Sequence, residues 1–504
     1  MKIEKFSCEH FIMLSHQIHP FHTVIQRPRN YVFDEKVIKD GVIRAQYAVR
    51  GDILIKQNEL KEQIKRGVKM PFKDFIPCNI GNPFAVGKKP LTFPRQLISA
   101  VENPALLDKG VLPDEVCQRA RYLLDNTQGG PGAYSASPGV QVIREEVANF
   151  IKRRDGYDSD PNHIYLTEGA SQAVQTILEM LITDERSGVL LPFPTYPLYT
   201  ASLDLYGGKL IPYFLNENDG WSLDPEELDV VFQKASHKGI NPKVLVVINP
   251  GNPTGRVLSE KNMEKIVQFC EKYQVILLAD EVYQENIYGE DKFVSFKKVC
   301  HKLGTRFPLF SFHSISKGFM GECGHRSGYL EVENVHQSFL DQLTKLRSIC
   351  LAPNTIGQYL FGTYCNPPKS PECKKLWDYE TKSEIASLGK RSRILVDGLN
   401  KIEGLHTQKV NSAMYAFPRI DLPKKAIETA QKTFFHGKFM KPDTFWCMKL
   451  LEETGIVVVP GSGHGQVDGT YHFRTTFLPS EEKIKEMIER MSDFQNKFLM
   501  QYGD

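Results

Sequence analysis

The sequence predicts an α/β fold, a mostly parallel central sheet with helices on both faces, joined to a smaller α/β domain. Three observations carry this expectation. From about residue 140 to about residue 320, short β-branched runs alternate with amphipathic helical runs, the pattern of a parallel sheet covered by helices. Most of the strand candidates are near-continuous apolar segments, as expected of strands buried on both faces. At 504 residues the chain also exceeds the length at which one hydrophobic core usually stops growing.

A helix over residues 140–155 opens the series, because Ile143, Val147, Phe150 and Ile151 recur at i, i+4, i+7 and i+8 and Gly156 follows as a stop. Strands are predicted at 163–167, 189–191, 244–248, 275–279 and 308–314. Beyond about residue 395 the composition changes: lysines gather around Lys424, Lys425, Lys432, Lys438 and Lys441, then come a helix, an apolar strand at 456–459 and a final charged helix. The expected division is therefore an N-terminal arm with part of the small domain at 1–105, a large ligand-binding domain at 106–394, and the C-terminal small domain at 395–504. The Pro-rich stretch 367–371 is expected as a loop near the boundary.

Composition excludes several functions. A net charge of +3 from 63 basic and 60 acidic residues is too balanced to imply a nucleic-acid partner. The 10 cysteines form no CxxC pair and are expected as reduced thiols, and the 14 histidines show no metal-ligand spacing. No apolar run approaches the roughly 20 residues of a membrane span. Residues 1–30 are the candidate targeting segment; with Glu4 and Glu9 they match an acid-poor transit peptide badly, so a cytoplasmic protein is expected, with a mitochondrial address left open.

Ligands in open α/β sheets gather beyond the carboxyl ends of the strands. Here those ends carry Glu168-Gly169-Ala170-Ser171, then Pro194-Thr195-Tyr196, then Asn252-Pro253-Thr254-Gly255, then Asp280-Glu281-Val282-Tyr283, and finally Ser314-Ile315-Ser316-Lys317-Gly318. A helix start with a serine is an anion seat, and a tyrosine, an aspartate and a lysine supply a stacking face, a partner for a ring nitrogen and an amine for an aldehyde. Taken singly each has a bland reading: Lys317 a surface lysine, Asp280 an N-cap, the Asn252 motif a turn, Arg474 one half of a surface ion pair. Their joint placement reverses those readings. Two Gly-rich stretches, at 129–132 and 461–465, lack nucleotide-loop spacing and are expected as backbone loops around the site.

Asn252-Pro253-Thr254-Gly255, Ser314-Ile315-Ser316-Lys317-Gly318 and Phe473-Arg474-Thr475-Thr476 resemble the general motifs of fold-type-I pyridoxal-phosphate aminotransferases. Tyr134-Ser135-Ala136-Ser137, Gly321-Glu322-Cys323-Gly324-His325-Arg326, Pro460-Gly461-Ser462-Gly463 and Ala45-Gln46-Tyr47-Ala48-Val49-Arg50-Gly51 resemble forms favoured by their alanine branch. The resemblance implies pyridoxal 5'-phosphate as cofactor, with Lys317 its Schiff-base lysine and the base that moves the substrate proton. It further implies Asp280 at the ring nitrogen, Tyr283 and Asn252 at the ring oxygen, Tyr196 on the ring face, and Ala170, Ser171, Ser314 and Arg326 at the phosphate. Arg474, with Asn252 beside it, would bind the substrate α-carboxylate, and Tyr134 would reach the phosphate of a neighbouring subunit in a homodimer.

The implied reaction is amino transfer between L-alanine and 2-oxoglutarate, giving pyruvate and L-glutamate. Alternatives on the same fold are a kynurenine-type or glutamate:glyoxylate transaminase, a lyase, or a cofactor-binding regulator. The last would carry a DNA-binding segment, and the first 100 residues contain no basic helix-turn-helix.

Overall fold

The computed structural model describes residues 35–47 and 51–503. Its central sheet has eight strands: β1 (Ile164–Thr167), β2 (Ser187–Phe193), β3 (Lys209–Asn216), β4 (Ser222–Leu223), β5 (Asn241–Ile248), β6 (Ile276–Asp280), β7 (Leu309–Ser314) and β8 (Gly328–Glu333). They lie in the order β1-β8-β7-β6-β5-β2-β3-β4. Pairing is parallel from β7 through β6, β5 and β2 to β3, while β8 runs antiparallel to β1 and β7.

Side-chain alternation explains why the strands are apolar throughout. Val189, Leu191, Val244, Val246 and Leu278 pack with Val174 and Ile177 of helix Ala170–Leu181 on one face. Leu190, Leu245, Val247 and Leu277 pack with Met263 and Ile266 of helix Glu260–Tyr273 on the other. Each such Val, Leu or Ile, fully buried, contributes roughly 1.5–3 kcal/mol. The sheet is thereby a rigid base for the polar residues at its strand ends.

The five predicted strands form, with ends shifted by a residue or a few, and the predicted helix runs over Gln141–Asp155. Three strands escaped prediction for physical reasons. In β8, Glu331 and Glu333 interrupt the apolar pattern, and fully buried Lys297 meets them at 2.5 and 2.9 Å. In β3, Pro212 argues against a strand, yet it is tolerated because the outer side of β3 is paired only at Leu215 and Asn216. Strand β4 is two residues long and leaves no periodic signal.

A separate core joins the two ends of the chain. Ile53, Leu60 and Ile76 pack with Trp446, Phe473, Met487 and Phe494, and Ile76–Pro77 pairs in parallel with Ile456–Val457. Leu91, Phe93, Leu97 and Val101 pack instead against Ile143 and Val147, beside the sheet. The stretch 367–371 ends where the 29-residue helix Pro371–Leu399 begins, so residues 394 and 395 are continuous helix. Among the described residues no helix is long and apolar enough to cross a membrane. The candidate targeting segment 1–30 and Ala48-Val49-Arg50 lie outside the described residues.

Candidate active site

A cleft of about 690 Å³ opens at the carboxyl ends of the strands, within the usual range for small-molecule sites. Ala170, Ser171, Tyr196, Asn252, Asp280, Tyr283, Ser314, Lys317, Arg326 and Arg474 all line it. Residues scattered over more than 300 positions of sequence converge there because most terminate or follow a strand, while Arg326 precedes β8 and Arg474 lies within strand Phe473–Thr476.

Helix Ala170–Leu181 starts at the cleft edge after Gly169, whose φ of +81° suits glycine. A Cβ at Gly169 would lie 2.4 Å from an Arg326 guanidinium nitrogen, so only glycine lets the arginine approach. Arg326 donates to Ser171 Oγ at 3.2 Å and to the Glu168 carbonyl at 3.0 Å. Free N–H groups at the helix start, one hydroxyl and one guanidinium form a phosphate-sized anion seat. Ser314 Oγ lines the same end while donating to the Ser327 carbonyl at 2.9 Å.

Asp280 ends β6 and is 5% exposed. One carboxylate oxygen accepts from the Tyr199 hydroxyl at 2.8 Å, while the other is buried and has no partner. Burial pushes this carboxyl up to about 6, against the opposing pull of Tyr199, the Val282 N–H and the Lys317 charge. An orphaned buried oxygen is costly unless a donor meets it, and the protonated nitrogen of a pyridine ring is such a donor. Next to it, Glu281 does not line the cleft; it accepts from the Phe296 N–H at 2.8 Å, and burial pushes it up to about 8.

Lys317 follows β7 in a turn, and its Nζ donates to the Gly81 carbonyl at 3.1 Å and lies 5.7 Å from the centroid of the Tyr283 ring. Tyr283 donates to the Tyr415 hydroxyl at 3.4 Å. Burial alone would push Tyr415 up, but the Lys317 and Arg474 charges bring it below the usual tyrosine range. Gly81 is required here: a Cβ would sit 1.9 Å from the Tyr415 hydroxyl and 2.9 Å from Lys317 Nζ.

Arg474 lies in strand Phe473–Thr476 and is 2% exposed. It donates to Asn252 Oδ1 at 3.2 Å and to the Asn79 carbonyl at 2.6 Å, with its guanidinium 4.5 Å from the centroid of the Tyr415 ring. It forms no ion pair among the described residues, so the guanidinium is a buried cation held ready for an anion. The set could hold a phosphorylated pyridine aldehyde: anion seat, orphan carboxylate, lysine amine and the Tyr196 ring all border one space.

Neither Gly-rich stretch lines the cleft. The stretch 461–465 instead braces it from outside, as Thr195 N–H donates to the His464 carbonyl at 2.7 Å and the His464 Nδ1–H donates back to the Thr195 carbonyl at 2.9 Å, fixing the loop that carries Tyr196. Tyr134 is 80% exposed and does not line the cleft of its own chain. Conversely, sequence reasoning assigned no role to Tyr47, Gln57, Lys61, Asn79, Gly81 or Tyr415, all of which line the cleft. Only Tyr47, inside a quoted motif, carried a signal; its hydroxyl lies 2.6 Å from that of Tyr196.

A mostly parallel sheet with an anion seat, a buried carboxylate and a lysine at successive strand ends defines a fold-type-I transferase. The chain belongs to the aminotransferase class I and II family, whose model matches residues 101–491. It is 47% identical to a protein of Dictyostelium discoideum named probable alanine aminotransferase, mitochondrial, over 92% of this chain and 89% of that one. It is 44% identical to glutamate–glyoxylate aminotransferase 2 of Arabidopsis thaliana, over 94% of this chain and 97% of that one. Among solved structures, an alanine aminotransferase from Pyrococcus furiosus superposes with a TM-score of 0.71 at 25% identity, covering 91% of this chain and 99% of that one.

Proposed function

We propose that this aminotransferase exchanges an amino group between L-alanine and 2-oxoglutarate, giving pyruvate and L-glutamate in two half-reactions on pyridoxal 5'-phosphate. The observation that carries the reading is the convergence of Lys317, Asp280 and Arg474 on one cleft, each with bonding capacity directed into it. Relatives named as alanine aminotransferases support the donor.

When bound, the cofactor supplies an electron-withdrawing ring to which the substrate's Cα becomes conjugated. Asp280 holds a proton at the ring nitrogen, and its burial strengthens that pairing. Lys317 would hold the cofactor through its amine, and the same amine, when free, would move the proton to and from Cα. Tyr283 and Asn252 hold the ring oxygen, Tyr196 covers the ring face, and Ala170, Ser171, Ser314 and Arg326 hold the phosphate. Arg474 grips the substrate α-carboxylate in a two-pronged contact, which orients the Cα–H bond.

The working unit proposed is a homodimer in which Tyr134 completes the phosphate seat of the neighbouring subunit; its 80% exposure and its distance from its own cleft support this. The two-domain division is kept as part of the proposal, with residues from about 91 to 105 assigned to the large domain because they pack beside the sheet.

The test is a panel of amino donors and oxo acids with the purified holoenzyme. L-Alanine with 2-oxoglutarate is expected to give the highest kcat/KM. Turnover of glutamate with glyoxylate but none of alanine would overturn the substrate assignment. For the dimer, mixing Tyr134→Ala with Lys317→Ala subunits is expected to regenerate activity, and verified exchange without any activity would rule out a shared site.

A further inference from the structure

The wall facing the strand ends comes from Tyr47 and from residues between 54 and 82, and helix Asp52–Lys65 turns one face into the cleft. Leu54, Gln57 and Lys61 lie on that face at spacings of three and four, so they stack along one side of the helix. Gln57 is only 7% exposed and lines the cleft, and its side chain forms no hydrogen bond among the described residues. Its amide borders the open cleft, so its donor and acceptor capacity is available to a ligand atom there.

Lys61 stands one turn further on and is exposed. Other charges of this helix are matched: Lys56 by Glu452, Lys65 by Glu62, Glu59 by His436. Lys61 has no ion pair among the described residues, and its aromatic neighbour Phe75 is 5.9 Å away at the ring centroid. Among the described residues the cleft is lined by four cations, Lys61, Lys317, Arg326 and Arg474, against the single carboxylate of Asp280. Three of the four have proposed roles; Lys61 has none.

Glutamate and 2-oxoglutarate carry a second carboxylate that alanine and pyruvate lack. With the α-carboxylate at Arg474, that second group needs its own seat in the same cleft. We propose that Gln57 and Lys61 form it, Gln57 donating an amide hydrogen bond and Lys61 supplying the charge; this rests on the transaminase reading above. The pairing also accounts for how one pocket serves two sizes of substrate. Lys61 has a flexible stem and a strongly hydrated ammonium, so with alanine bound it stays in water, and with glutamate bound it swings onto the carboxylate. A buried arginine in that place would be left unpaired in every alanine half-reaction.

The experiment compares KM and kcat of the purified holoenzyme for alanine, pyruvate, glutamate and 2-oxoglutarate in the wild type, Lys61→Met, Lys61→Arg and Gln57→Leu. Lys61→Met is expected to raise KM for both dicarboxylates about tenfold or more, while KM for alanine and pyruvate moves less than about twofold. Lys61→Arg is expected to restore the dicarboxylates to within about threefold of wild type, and Gln57→Leu to raise their KM by about fivefold. Added salt is expected to raise KM for glutamate in the wild type but not in Lys61→Met. Unchanged dicarboxylate KM in Lys61→Met, or an equal loss for alanine and glutamate, would overturn the assignment. A wild type that turns over neither dicarboxylate would overturn the transaminase reading itself, and this inference with it.

Discussion

Across the cleft stand two walls of different construction. One is made of strand ends, with Asp280 5% exposed and Ser314 3% exposed on a sheet buried on both faces. The other is made of Tyr47 and residues between 54 and 82 and is tied down by a two-residue strand pairing and by the few buried residues of one helix, while Lys61 stands in solvent. The first wall suits a permanent cofactor, whose polar contacts must be held in fixed geometry. The second suits substrates that differ in length and change in every half-reaction. Local stability is lower where buried apolar contacts are few, so adaptability belongs on that side.

Breaking the strand-end wall should cost most. Lys317→Ala is expected to lower kcat more than about a thousandfold at every substrate concentration, since it removes the amine proposed to move the proton. Asp280→Ala should follow, with a loss of about a hundredfold or more in kcat and weaker cofactor retention, measured by turnover and by dialysis of the holoenzyme. Outside that wall, in a strand of the other core, Arg474→Lys keeps the charge but loses the fork, and kcat/KM for alanine should fall about a hundredfold.

Tyr415, whose hydroxyl lies against Gly81 of the opposite wall, should respond more mildly. Tyr415→Phe removes the hydroxyl that meets Tyr283, and kcat is expected to fall about tenfold with little change in KM. An equal or larger fall in kcat than in Asp280→Ala would erase the distinction between the walls.

The smallest effect lies behind the sheet, at Glu281, and concerns stability alone. Its folded-state value of about 8 lies above the ordinary 4.5, raised by burial and opposed by Arg154. The folded protein therefore binds an extra proton between those values. That contribution is complete below about pH 4.5, is lost progressively as pH rises toward 8, and is constant above. Glu281→Gln should thus melt close to wild type near pH 5 and increasingly above it up to about pH 8, as read by thermal unfolding.

Legibility in the sequence followed the same division. The apolar strands announce themselves, and a polar residue directly after one is marked by position, so Asp280, Asn252 and Lys317 could be named together. Arg474 was found through its motif, although its strand belongs to the other core. Gly81 and Tyr415 gave no local signal, because one is needed for close backbone approach and the other only through partners hundreds of residues away. Strand β8 was hidden by two glutamates whose buried lysine partner lies 34 and 36 positions earlier. Tyr134 shows the limit of reading one chain, since its proposed contact is with a second.

The central claim, that Lys317 carries the cofactor in an enzyme acting on alanine, is tested most directly by borohydride reduction of the holoenzyme followed by peptide mapping, with and without prior L-alanine. The account predicts a pyridoxyl group on Lys317 alone, lost when alanine is added before the reductant. A label on another lysine, or one that alanine leaves unchanged, would contradict it.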